Sequence, residues 1–343
     1  MEQKQTTRKT YLDILRVFAC LSVIYNHVAG REMRLMSGMS GLAALFLFYV
    51  SKTAVPLFLL ISGALLLGRK DGFRCHVRRI LRMALVLVVA SLFYYGMNAL
   101  LDGTAFRVND FLLTVYRSET TGSFWYLYLY LGVLVMLPVL QPMAQALGDR
   151  EKKYFLLASG AFSSLLPLVF LFLPAYNVNF TVPLFSATLG LLMAGYAVDG
   201  WPVSRKGARI AQRCALPCAV LLPLVPTLLA AYGPAYLFNF FDNYFLLTAT
   251  GSAVGIFYAC RYLWETRPPS ARWTAFWERA GSLTFGTFLL GDFLAARCTF
   301  LMRGLDAWLP VNLAGAFYTL AVFLLGMGIT WLLKRIPFLR RAL

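Results

Sequence analysis

Asp13, Arg16 and His27 lie in one mostly apolar stretch, Tyr11-Leu-Asp-Ile-Leu-Arg-Val-Phe-Ala-Cys-Leu-Ser-Val-Ile-Tyr-Asn-His27. It is long enough to be the body of a membrane-spanning helix. Ionisable side chains are expensive in hydrocarbon and turn towards other helices or a wet cavity. Arg16 and His27 are eleven positions apart, about three helical turns, so they share a face roughly 16 Å apart along the axis. Asp13 precedes Arg16 by three residues, within side-chain reach on the same side. An imidazole titrates near neutral pH and suits proton removal from an alcohol. His27 is therefore the best-placed general base for chemistry on a hydroxyl. The structural alternative makes Asp13 and Arg16 interfacial anchors and His27 a packing residue.

A second group follows in Gly68-Arg-Lys-Asp-Gly-Phe-Arg-Cys-His-Val-Arg-Arg-Ile-Leu-Arg82. Arg78, Arg79 and Arg82 sit where the next helix enters the membrane, and the planar guanidinium fork matches phosphate oxygens. They read either as a phosphate clamp or as basic residues on lipid headgroups. His76, in the same loop, reads as solvated, and Lys52 as a side chain snorkelling to the outer interface. Pro56 interrupts the second apolar run, and the Ser62-Gly63 pair lets another helix or a ligand approach closely.

The elements that must carry these residues are membrane helices. Of 343 residues, 59% are hydrophobic and 14% charged, and the mean hydropathy is +0.67; a soluble domain carries about a quarter charged residues. The net charge of +17 falls in short clusters between apolar runs, which fits cytoplasmic loops and lipid headgroups and excludes a nucleic-acid-binding surface. Ten spans are expected near 11–30, 41–68, 83–101, 123–143, 154–173, 181–198, 214–232, 242–262, 281–300 and 312–333, in a single all-α polytopic domain over 1–343. Segments on one side then hold 24 Lys and Arg and those on the other side five, which puts both termini in the cytoplasm. The N-terminus lacks an apolar core followed by a small-residue cleavage site, so the first span is expected to be retained. Aromatics in the outer loops 102–122 and 233–243 form either an interfacial belt or a surface on which sugars stack.

The six scattered cysteines form no CxxC and no metal-ligand spacing with histidine, so neither a metal nor a disulfide framework is expected. Gly-x-Ser-x-Gly, Walker and HExxH patterns are absent, which leaves hydrolase, ATPase and zinc-protease readings without support.

Leu12-Asp-Ile-Leu-Arg16, followed by ten residues and then His27, resembles the hallmark of the acyltransferase-3 family of integral-membrane acyltransferases. Val55-Pro-Leu-Phe…Ile-Ser-Gly63 is similar to the family's second helix, and Arg78-Arg-Ile-Leu-Arg82 to its arginine motif. Phe124-Trp-Tyr-Leu127 and Ser282-Leu-Thr-Phe-Gly286 fall where the family has a Trp-containing helix start and a Ser-Tyr-Gly-type segment. The resemblance implies O-acyl transfer, usually of acetyl, from cytoplasmic acyl-CoA to a hydroxyl handled at or beyond the outer face of the cell membrane. The acceptor would be a cell-surface glycan, a lipid-linked sugar or a secreted metabolite. Acetyl-CoA would be a substrate, with no cofactor held permanently. His27 would be the essential histidine, Arg16 its partner, and Arg79 and Arg82 part of the CoA-binding motif, with Arg78 beside them and Asp13 orienting Arg16. Two positions depart from many members, which carry histidine where this chain has Ser123 and Gly291; Asp292, next to the latter, is expected to keep a cavity polar. A transporter or flippase for a polar metabolite or lipid-linked sugar is the alternative from another class, and a non-catalytic partner for cell-surface assembly a third.

Overall fold

The computed structural model describes residues 8–32, 38–172 and 183–337, and among these every regular element is helical. Lys4, Arg34, Arg340 and Arg341 of the charge tally lie outside the described residues. The helices are α1 (Thr10–Glu32), α2 (Gly38–Ser51), α3 (Ala54–Leu66), α4 (Phe73–Leu101), α5 (Val108–Tyr116) and α6 (Trp125–Ala146). There follow α7 (Asp149–Ser159), α8 (Leu166–Phe172), α9 (Ala187–Gly200), α10 (Arg205–Ile210) and α11 (Leu216–Tyr232). The last five are α12 (Tyr236–Phe241), α13 (Leu247–Thr266), α14 (Ala271–Arg297), α15 (Thr299–Asp306) and α16 (Val311–Leu333).

Seven helical stretches among the described residues are long and apolar enough to cross a membrane, or eight if the pair α14 and α15, bent by 60°, makes one span. The protein is thus a multi-pass membrane protein. Large apolar side chains such as Leu85, Val139, Leu221 and Leu324 stand exposed along these stretches, as a lipid-facing surface requires. α9 falls short in length, with 14 residues. α13 places Thr248, Thr250, Ser252 and Arg261 along its buried face.

Local chemistry explains the breaks. Pro56 has no N–H for the Lys52 carbonyl four residues back, and the second apolar run divides there into α2 and α3. π turns at Gly160–Leu165 and Ala211–Ala215 join α7 to α8 and α10 to α11. Each stands two residues before a proline, Pro167 or Pro217, where the ordinary hydrogen-bond register cannot be kept.

α3 is the most enclosed helix of the site region, with Leu57, Leu59 and Leu60 fully buried. It meets α9 through a reciprocal glycine contact. A Cβ on Gly63 would lie 1.9 Å from the Leu192 carbonyl oxygen, and one on Gly195 would lie 1.9 Å from that of Leu60. The Ser62-Gly63 pair therefore serves close approach of a second helix. α1 packs along α14 and α3, and Gly281 of α14 leaves the room that Asp13 occupies, since a Cβ there would fall 2.5 Å from its carboxylate.

Candidate active site

Asp13 is 1% exposed and accepts from two guanidinium groups, Arg16 Nη1 at 2.8 Å and Arg8 Nε at 2.7 Å. Its bond to Arg16 is the one the spacing in α1 leads one to expect. Arg8, outside the first span, adds a second cation and reaches across to the Glu278 carbonyl at 2.6 Å. With its side chain held by Asp13, Arg16 lines a cavity of about 360 Å³.

Arg79 and Arg82 line the same cavity. α4 begins at Phe73, so the basic residues from Arg74 to Arg82 lie on helix and not in a loop. Successive residues on a helix turn by about 100°, and so Arg78 is exposed and outside the cavity lining while Arg79 is half-buried. Arg79 donates to Asp71 at 2.6 Å, and Asp71 also accepts from Gln141 at 3.0 Å. Partial burial pushes the Asp71 carboxyl up, but the bonds from Arg79 and Gln141 and the charges of Arg79 and Arg69 outweigh it and hold it below the usual range. His76 is buried, at 3% exposed, which corrects its reading as a solvated loop residue: α4 starts early enough to turn it inwards.

The cavity walls carry hydroxyls. Ser62, Tyr126 and Tyr130 line it, and Ser62 donates to the Phe58 carbonyl at 2.7 Å. Phe58, Tyr126 and Phe288, from α3, α6 and α14, also line this cavity. Their ring centroids are 5.6, 6.1 and 6.2 Å apart, two of the three pairs edge to face.

The same three rings also line the small pocket that holds His27, together with Asn26, Ser123 and Tyr244. His27 Nδ1 is 3.3 Å from Asp292 Oδ1. The other carboxylate oxygen of Asp292 accepts from the Thr121 hydroxyl at 2.6 Å and the Ser123 N–H at 3.0 Å. Asp292, 7% exposed, is thus fixed on three sides and orients the imidazole. Ser123 Oγ is buried with no hydrogen-bond partner among the described residues, a cost that a bound polar group would remove. Gly291 gives Ile24 of α1 its place, with 3.1 Å from a notional Cβ to Ile24.

Lys52 does not snorkel. It is 2% exposed, ion-paired with Asp242 and bonded to Asn26 Oδ1 at 3.3 Å. Its ammonium group stands 4.3 Å from the Phe48 ring centroid and 4.6 Å from that of Tyr244. Tyr244 also donates to Asn26 Oδ1, at 3.2 Å, and Asn26 Nδ2 donates to Ser51 at 2.9 Å. Asn26, Lys52, Tyr244 and Asp242 therefore fasten the His27 turn of α1 to the α2–α3 break and to the segment before α13. A buried cation without its partner is costly, about 3–5 kcal/mol when fully enclosed. Asp242→Ala is expected to destabilise the protein by about 2 kcal/mol, less than that range because Asp242 is partly exposed. Thermal unfolding in detergent checks this, and Lys52→Met on top of it is expected to restore most of the loss.

The site therefore has a basic, roomy half and a histidine half that share an aromatic wall. A family model for an acyltransferase domain, that of acyltransferase-3, matches residues 9–335. The chain belongs to the acyltransferase-3 family. Comparison with curated proteins and with solved structures gives no match. As an acyltransferase-3 protein, the chain is a membrane acyltransferase, and the match extends over all the helices that build both halves of the site.

Proposed function

We propose that the protein transfers a short acyl group, acetyl first, from cytoplasmic acyl-CoA to a hydroxyl at the outer side of the cell membrane. The acceptor class is a cell-surface glycan, a lipid-linked sugar or a secreted metabolite. The observation that carries this reading is the shared wall: Arg16, Arg79 and Arg82 line one cavity, His27 lines the next, and Phe58, Tyr126 and Phe288 belong to both. In this reading α9, α13 and α14 complete ten crossings with the seven apolar stretches. Both termini are cytoplasmic, which the distribution of Lys and Arg supports.

The CoA phosphates bind Arg79 and Arg82 at the cytoplasmic mouth, with Arg78 contributing charge from the rim. The pantetheine arm enters along Ser62 and Tyr130, whose hydroxyls suit its amides, and Arg16 holds the donor part-way along. Asp292 on Nδ1 leaves proton transfer to Nε2 of His27. The acceptor oxygen bonds to the acyl carbon as the carbon–sulfur bond breaks. The acceptor proton passes to His27, and the electron pair leaves with the CoA sulfur, which His27 then protonates. Arg16, about three turns of α1 from His27, acts on the donor by holding it and not on the reacting carbonyl. No metal or resident cofactor is required by this sequence of steps.

Radiolabelled acetyl-CoA turnover in membranes, with extracted envelope material as acceptor, tests the reading, and the labelled product names the acceptor class. Arg82→Ala is expected to raise the KM for acetyl-CoA about tenfold, the loss of one charge-assisted contact, with a smaller effect on kcat. If the wild type labels no product across a wide acceptor pool, the transporter alternative takes its place.

A further inference from the structure

Two voids lie on either side of one aromatic wall, and they differ greatly in size. The donor cavity holds about 360 Å³. The space beside His27 holds about 10 Å³, room for roughly one water molecule. The centroids of Phe58, Tyr126 and Phe288 form a triangle with sides of 5.6, 6.1 and 6.2 Å. Those are contact distances for aromatic rings, so the three rings leave no open gap among themselves. The direct route from the donor cavity to an acceptor oxygen held by His27 runs through these rings, so on that route a ring turns aside and the acyl tail takes up the space it leaves.

From this geometry we infer that Phe58, Tyr126 and Phe288 set the length of acyl chain that the enzyme accepts. The inference rests on the acyl-transfer reading and adds to it the residues that define donor specificity. The rings are mounted on three different helices, so moving one strains the packing of the others. Phe288 is 6% exposed, and Tyr126 stacks on Tyr130 with ring centroids 6.2 Å apart. An acetyl group asks for the smallest displacement. Each further methylene needs space that close-packed rings do not yield cheaply. Arg16, Arg79 and Arg82 bind the part common to every acyl-CoA and do not discriminate chain length; the rings do.

The test is competition between acetyl-CoA and butyryl-CoA in one preparation, reading the ratio of the two acylated products. Because both products come from the same enzyme, partial loss of folded protein leaves the ratio unmoved. The wild type is expected to favour acetyl by tenfold or more. Phe288→Ala is expected to shift the ratio towards butyryl by at least tenfold. Phe288→Leu and Phe58→Leu, milder changes that keep an apolar side chain, are expected to shift it by a smaller factor in the same direction. An unchanged ratio in every variant that still transfers acyl groups overturns the inference, as does a wild type that uses both donors equally. Failure of the underlying reading looks different: the wild type then acylates nothing from either donor, and both statements fall together.

Discussion

Replacing His27 by alanine is expected to lower the rate of acyl transfer by about 10²–10⁴-fold, the usual worth of a positioned general base. The thermal unfolding midpoint is expected to fall modestly, because the imidazole leaves the side of the buried Asp292, which keeps its bonds from Thr121 and Ser123. The expected loss is in kcat, since the arginines proposed to hold CoA are about three turns of α1 away or on α4. Asp292→Asn is expected to fall the same way by about 10²-fold or more. An amide still accepts from Thr121 and Ser123, but it does not favour the imidazolium or fix the tautomer as a carboxylate does. Labelled acetyl-CoA turnover, with protein amount normalised by quantitative blot, measures both. Normal product from His27→Ala would remove the general base from the proposed mechanism, and retained solute movement by His27→Gln would favour a transporter.

The largest structural effect is expected at Gly63. In Gly63→Ala the new methyl carbon would have to sit 1.9 Å from the Leu192 carbonyl oxygen, with the Leu192 carbonyl carbon and Cα also within 3 Å. These are backbone atoms of α9, so no side chain can swing aside. The helices must separate along their whole contact, and the reciprocal fit at Gly195 is lost with it. Overpacking of this kind costs about 3 kcal/mol or more. The expected result is a markedly lower unfolding midpoint in detergent, with poor recovery from membranes. Gly96, which has nothing within 4 Å of a notional Cβ, is the control, and alanine there should be tolerated. Equal behaviour of the two variants would refute the close helix contact.

Much of this was legible in the sequence where a single helix carries the information. The face shared by Arg16 and His27 and the short step from Asp13 to Arg16 follow from helical periodicity alone, and an ionisable residue in an apolar run demands a partner. The same rule marks Asp292 and Lys52, but it does not say which partner each finds. His27 meets Asp292 from α14, and Lys52 meets Asp242 next to α12. These pairings depend on how distant helices come together. Lys52 was readable as an interfacial lysine because the break before Pro56, which turns it inwards, has no periodic signature. Arg78 was indistinguishable from Arg79 and Arg82 until the start of α4 at Phe73 fixed which side chains face the cavity. The aromatic wall was the least legible feature, because Phe58, Tyr126 and Phe288 are ordinary apolar residues in three separate spans. Tyr244 belongs to an outer aromatic segment that reads equally well as an interfacial belt, and only its place against Asn26 and Lys52 sets it apart.

The closed ring wall also bears on how the protein responds to membrane voltage. Moving one elementary charge through 100 mV involves work of about 2.3 kcal/mol, which would weigh heavily on any step that carried CoA phosphates or an ion across. In the proposed reaction the phosphates stay at the arginines and a neutral acyl group passes as a ring turns aside, so the field does no work on the donor. Collapsing the potential with an ionophore would stall an ion-coupled carrier, whereas the proposed acyl transfer is expected to keep its rate while acetyl-CoA is supplied.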